Sequence, residues 1–207
     1  GHTTLDERQR EWIFQPSDRT WGGAESVPGM EEVWIEYGSS ETRSAVKLNG
    51  LWLAQPVADA PALLLLHGAR WDVRSSAHRM RRMHELGFNV LSIDYRGFGK
   101  STLALPSEAM AYEDAQAAWR WLREQQPQGK RFVFGHSLGS AIAVHLATEI
   151  DDADGLIIEG AFPSIAEVFK TMKWGWLPVG PLLTQRFDAV TRIGKLKMPL
   201  LVVHGDE

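Results

Sequence analysis

Arg131-Phe132-Val133-Phe134-Gly135-His136-Ser137-Leu138-Gly139-Ser140-Ala141-Ile142-Ala143-Val144 is the stretch whose reading decides the fold. An apolar run of strand length meets Gly135-His136-Ser137-Leu138-Gly139, and a helix-forming run to Ile150 follows. This is G-x-S-x-G with a strand before it and a helix after it. A serine on so sharp a turn sits in strained backbone, so the positions two residues to either side must lack bulk; Gly135 and Gly139 meet that need. Ser137 is then exposed at a strand end and faces the positive end of a helix dipole, as a nucleophile would. The plain alternative is a glycine-rich helix start with a capping serine. The flanking strand, the helix and both glycines favour the nucleophile.

Working outward, Ala62–Leu66, Asn89–Asp94, Gly155–Ile158 and Leu200–Val203 are further short, continuous apolar runs. Strands buried on both faces read this way, which predicts a mostly parallel twisted sheet with helices on both faces. The helices are expected at about 75–86, 107–125 and 137–150, the second capped by Ser107 with Glu108 in its first turn. Gly87 and Gly129 stand at helix exits, where a positive φ is wanted. Before this alternation, Glu32–Tyr37 and Ala45–Ala54 alternate apolar and polar residues, as antiparallel half-buried strands do. Asn49-Gly50 carries a turn signal and predicts a bend or bulge there. Residues 1–30 read as an irregular arm, and 31–207 as one α/β domain with a short lid-like insertion at about 163–195.

The 207 residues suffice for one sizeable core, and a net charge of -4 gives no reason to expect a nucleic-acid partner. Without cysteine there is no disulfide, thiolate metal site or Cys nucleophile. No apolar run has the length of a membrane span. The Gly1-His2 start reads as a tag remnant, with a native segment removed ahead of it.

In such sheets sites form at the carboxyl ends of strands. After Ala62–Leu66 come His67-Gly68-Ala69-Arg70; an oxyanion hole needs backbone donors from this loop and from the residue after the nucleophile, which are the Ala69 and Leu138 amides. His67 reads as a loop-orienting residue rather than a base. Glu159 and Asp206, each after a strand, are candidate acids, though a hydrogen-bonding role in the 160–164 loop fits Glu159 better. Asp94 is expected to brace the turn at 96–99 with Arg96 as its partner. Arg70, Arg74, Arg79, Arg81 and Arg82 read first as a solvated helix face and second as an attraction for an acidic substrate or anionic lipid surface. Trp174 and Trp176, with Leu177, Val179, Leu182 and Leu183, read as core and, in part, as an apolar rim for an acyl chain. No His/Asp/Glu cluster has metal-ligand spacing, so no metal or cofactor is expected.

"HGAR" (67–70), "DYRGFGKS" (94–101), "GHSLG" (135–139) and "PLLVVHGDE" (199–207) resemble, in order and spacing, the α/β-hydrolase superfamily. "REWIFQPSDRTWG" (10–22), "EGAFPSIAEVFK" (159–170) and the 176–199 segment resemble its small membrane-anchored, depalmitoylase-like serine hydrolases. The resemblance implies the α/β-hydrolase fold with a minimal lid, and cleavage of esters or thioesters of a small or acylated substrate through an acyl-enzyme on Ser137. Peptidase or amidase chemistry on the same fold, and a non-catalytic binding protein, are the alternatives. It also implies a membrane anchor ahead of residue 1, with the 207-residue chain itself soluble. In the family register HG-x-x-D, Asp206 and Glu207 are the two spacers. The triad acid and the base His are then expected beyond Glu207, and this chain alone is expected to be weakly active or inactive.

Overall fold

The computed structural model describes residues 28–67, 73–137, 139–159, 190–191, 198 and 200–203. In chain order they form β1 (Met30–Gly38), β2 (Ala45–Leu53), β3 (Ala62–Leu66), α1 (Val73–Glu85), β4 (Asn89–Ile93), α2 (Glu108–Gln125), β5 (Arg131–His136), α3 (Gly139–Glu149), β6 (Gly155–Glu159), β7 (Val190–Thr191) and β8 (Leu200–Val203). The strands make one sheet of order β1-β2-β4-β3-β5-β6-β8-β7. β1 runs antiparallel to β2, and β2 to β4; from β4 through β8 the pairing is parallel, and β7 closes antiparallel. The expected α/β-hydrolase architecture is therefore present, antiparallel start included.

The five residues of β3 are all buried because both faces of the strand are covered. Leu63 and Leu65 pack with Ala77 and Met80 of α1 and with Phe134, while Leu64 and Leu66 pack with Trp119 of α2 and Ile142 of α3. Period-two alternation within a wholly apolar run thus feeds two cores, one on each side of the sheet. α2 starts where its cap predicts: the Ser107 side chain accepts from the Met110 amide. Gly87 leaves α1 at φ 107°, whereas Gly129, at φ 86°, lies in the turn beyond the α2 cap Gln126, where a Cβ would stand 2.8 Å from the Asp59 carbonyl oxygen.

Asn49-Gly50 does not turn. β2 stays in register through it, Asn49 opposite Trp34 and Gly50 opposite Val33. Glycine is needed at 50 for a different reason: a Cβ there would lie 3.0 Å from the Ser92 carbonyl oxygen and 3.2 Å from Val33. Residues 1–27 of the expected arm at 1–30 and nearly all of the lid-like insertion lie outside the described residues, and Met30 already belongs to β1.

Sheet order reverses at β3. The chain leaves β3 for β4 on one side and later adds β5 on the other. The carboxyl ends of β3 and β5 are neighbours, Leu66 opposite Gly135, and this is where an open α/β sheet places its ligand crevice.

Candidate active site

Ser137 follows β5 directly and has φ 58°, the left-handed region that a residue with a Cβ adopts only under local constraint. Two backbone bonds impose it: the Ser137 amide donates to the Glu159 carbonyl at 3.1 Å, and the Ser140 amide donates to the Ser137 carbonyl at 2.9 Å. The glycines make the turn sterically feasible. A Cβ at Gly135 would stand 2.7 Å from the Ala143 Cβ, the Gly139 carbonyl oxygen and the Ser140 Cα. A Cβ at Gly139 would collide with the Leu66 carbonyl oxygen and lie 2.8 Å from the His67 carbonyl carbon. The first turn of α3 is therefore pressed against the end of β3, which sets Ser137 beside that strand end.

His67 closes β3. Its Nε2 lies 3.0 Å from the Ile93 carbonyl and so carries the proton that it donates there, while the Tyr95 hydroxyl donates to the His67 carbonyl at 3.2 Å. The ring is buried beside that of Tyr95, with centroids 5.4 Å apart. These contacts tie the end of β3 to the end of β4 and leave Nε2 committed as a donor. Asp94, at the end of β4, lies 4.0 Å from the same Nε2, and burial pushes its carboxyl up to about 8.

On the α1 face, His136 and Glu159 are register partners. Arg79 of α1 donates from Nε to Glu159 Oε1 at 2.9 Å and from Nη2 to His136 Nε2 at 2.5 Å. Since guanidinium nitrogens only donate, His136 Nε2 is the acceptor and the ring is neutral. Burial, with Arg79 and His67 nearby, pushes the imidazole down to about 3.

Comparison with known proteins agrees with this geometry. The family model described as serine aminopeptidase, S33, matches residues 58–188, more than half of the chain. An uncharacterized protein of Mycobacterium tuberculosis is 33% identical over 98% of this chain and 71% of its own length. The chain belongs to the α/β-hydrolase superfamily. The lysophosphatidylserine lipase ABHD12 of Danio rerio is similar at 26% identity, over 84% of this chain and 50% of its own length. Among solved structures, a thermostable carboxyl esterase from Bacillus coagulans matches at 25% identity and TM-score 0.52, over 71% of this chain and 50% of that one. The chain thus spans about half the length of these last two.

Within this α/β-hydrolase, the structure brings together Ser137, His67 and Glu159 at adjoining strand ends. Ala69, Arg70, Leu138, Trp174, Trp176 and Asp206 lie outside the described residues. Two expectations change. Arg96 does not pair with Asp94: its Nε and amide donate to Asp114 at 2.9 Å each, and Nη2 to Glu113 at 2.7 Å, so α2 holds the turn instead. Arg79 leaves the solvated helix face for Glu159; a carboxylate 80 residues away in sequence gave no local signal of this. The described histidines are engaged away from a base role. His145 stacks on Tyr112 at 3.7 Å, His84 meets the Ala54 carbonyl, and His78 meets Arg81.

Proposed function

We propose that the protein is a serine hydrolase that cleaves carboxylic ester or thioester bonds through an acyl-enzyme on Ser137. The observation that carries this reading is the backbone of Ser137, held at φ 58° between two glycines that admit no Cβ. Strain of that kind is retained where surrounding structure over-determines it, which supports reading Ser137 as a nucleophile presented at the carboxyl end of the sheet. Ser137 attacks the acyl carbonyl and the leaving alcohol or thiol departs; water then releases the acyl group. The amides of Ala69 and Leu138 are the proposed oxyanion donors. Arg70, Trp174 and Trp176 are proposed to contact the substrate.

Of the two acid candidates, Asp206, a spacer in the family register, lies outside the described residues. Glu159 is a poor one, since Arg79 holds its carboxylate and His136, with a pKa of about 3, is too weak a base to partner it. The names lipase and esterase on two relatives support an ester substrate. The aminopeptidase description of the family model favours a second reading, amide cleavage.

The test is fluorophosphonate labelling of the intact protein, with parallel assays on p-nitrophenyl esters, acyl thioesters and aminoacyl anilides. Labelling lost in Ser137→Ala, with esters or thioesters turned over faster than anilides, is the expected result. An intact protein that resists the probe would sink the serine-hydrolase reading, and preference for anilides would move it to the second.

A further inference from the structure

We propose that Arg79 is a positioning residue for the Ser137 elbow, tying α1 to the ends of β5 and β6. The inference rests on the reading of Ser137 as nucleophile and adds a residue that controls it.

Three bonds carry it. Glu159 uses its carbonyl to accept the Ser137 amide at 3.1 Å and its carboxylate to accept Arg79 Nε at 2.9 Å. Arg79 spans to the residue before the nucleophile as well, donating to His136 Nε2. One guanidinium therefore grips both strand ends from which the elbow hangs. A planar fork offers donors on separate nitrogens in fixed directions and so matches two acceptors on two strands; the ammonium of lysine has three donors on one compact atom and holds such a geometry less firmly.

The position of α1 gives the grip a consequence. The helix starts at Val73, four residues after the proposed Ala69 donor in sequence, and Arg79 lies less than two turns further on. The bridge sets the distance between α1 and the strand ends that carry the nucleophile. A role in stability alone is disfavoured, because the paired side chains are 28% and 29% exposed and such pairs add little. Misplacing reacting groups by about an ångström, by contrast, costs on the order of 100-fold in rate.

The experiment compares Arg79→Gln and Arg79→Lys with wild type in the intact protein, using p-nitrophenyl ester kinetics and the rate of fluorophosphonate labelling. Expected for Arg79→Gln are a kcat and a labelling rate lower by roughly 10- to 100-fold with KM little changed, and for Arg79→Lys a partial loss. A pH profile separates positioning from general damage. The groups facing His136 are Arg79 from α1, Glu159 from β6 and His67 from the end of β3. Without the Arg79 cation, the carboxylate of Glu159 draws a proton onto His136, so Arg79→Gln acquires an acidic limb in kcat/KM. The limb disappears in Arg79→Gln/His136→Asn. Wild-type kcat and labelling in Arg79→Gln would overturn the inference; if that variant does not fold, wild-type kcat in Arg79→Lys would overturn it equally. Wild type that resists the probe takes down the nucleophile reading, whereas labelled wild type with unaffected Arg79 variants takes down this inference alone.

Discussion

Gly139 shows how one missing methyl group organises the crevice. It is the first residue of α3, and in an open helix position alanine would be more stable than glycine by about 0.5–1 kcal/mol. Here the sign reverses. The added Cβ would strike the carbonyl oxygen of Leu66, a backbone atom in the central strand that cannot rotate away. Gly139→Ala is expected to destabilise by roughly 1–3 kcal/mol, as overpacking does, and to push the elbow from the end of β3. Urea unfolding measures the first effect and the rate of probe labelling at Ser137 the second. An alanine variant as stable and as reactive as wild type would mean that α3 has room to shift. Both elbow glycines were legible in the sequence because the motif states what they are for. Gly50 was not: its partner atoms come from Ser92 and Val33, and its neighbour Asn49 offered a turn reading that the register excludes.

Between elements, the burden falls on Arg96, whose side chain is 1% exposed on the turn after β4. Besides Asp114 and Glu113 of α2, it donates to the Tyr37 hydroxyl and the Ser39 hydroxyl, each at 3.0 Å, so the β1–β2 hairpin and α2 share one cation. Tyr37 in turn donates to Asp114. Removing the cation alone leaves Asp114 buried without its charge partner, and Arg96→Met is expected to cost about 3–5 kcal/mol. Arg96→Met/Asp114→Leu should recover much of that loss, because an apolar pair of similar volume carries no desolvation penalty. Denaturant midpoints of the two variants decide it; a double variant no better than the single would assign the loss to packing. Apart from the two-residue β7, strands and helices were legible here because each declares itself over four to eighteen consecutive residues. Arg96's partners were not, since Asp114 and Glu113 stand on the next helix and Tyr37 and Ser39 come from a hairpin about sixty positions earlier. The nearby Asp94 was the closer guess in sequence and the wrong one in space.

For the molecule as a whole, the reversal of strand order at β3 sets where charge ends up buried. β3 and β4 deliver His67 and Asp94 to the floor of the crevice, with helices on both sides of the sheet. Among the described residues Asp94 has no ion pair with a guanidinium, His67 Nε2 lies 4.0 Å from its Oδ1, and its Oδ2 has no hydrogen-bond partner. Burial therefore raises the carboxyl to about 8. The unfolded chain releases the same proton near the ordinary aspartate value of about 3.9. Between those two pH values the folded protein holds more protons than the unfolded one, so the contribution of Asp94 to stability declines as pH rises through that window and levels off above it. A neutral amide in place of the carboxyl would carry no such slope. Asp94→Asn is accordingly expected to gain stability over wild type between pH 5 and pH 9, by an amount that grows with pH, when unfolding free energies are compared at both ends. A constant difference would show that Asp94 is ionised throughout and compensated by charge at the crevice. A constant difference in favour of wild type would show that its ionised form stabilises the fold.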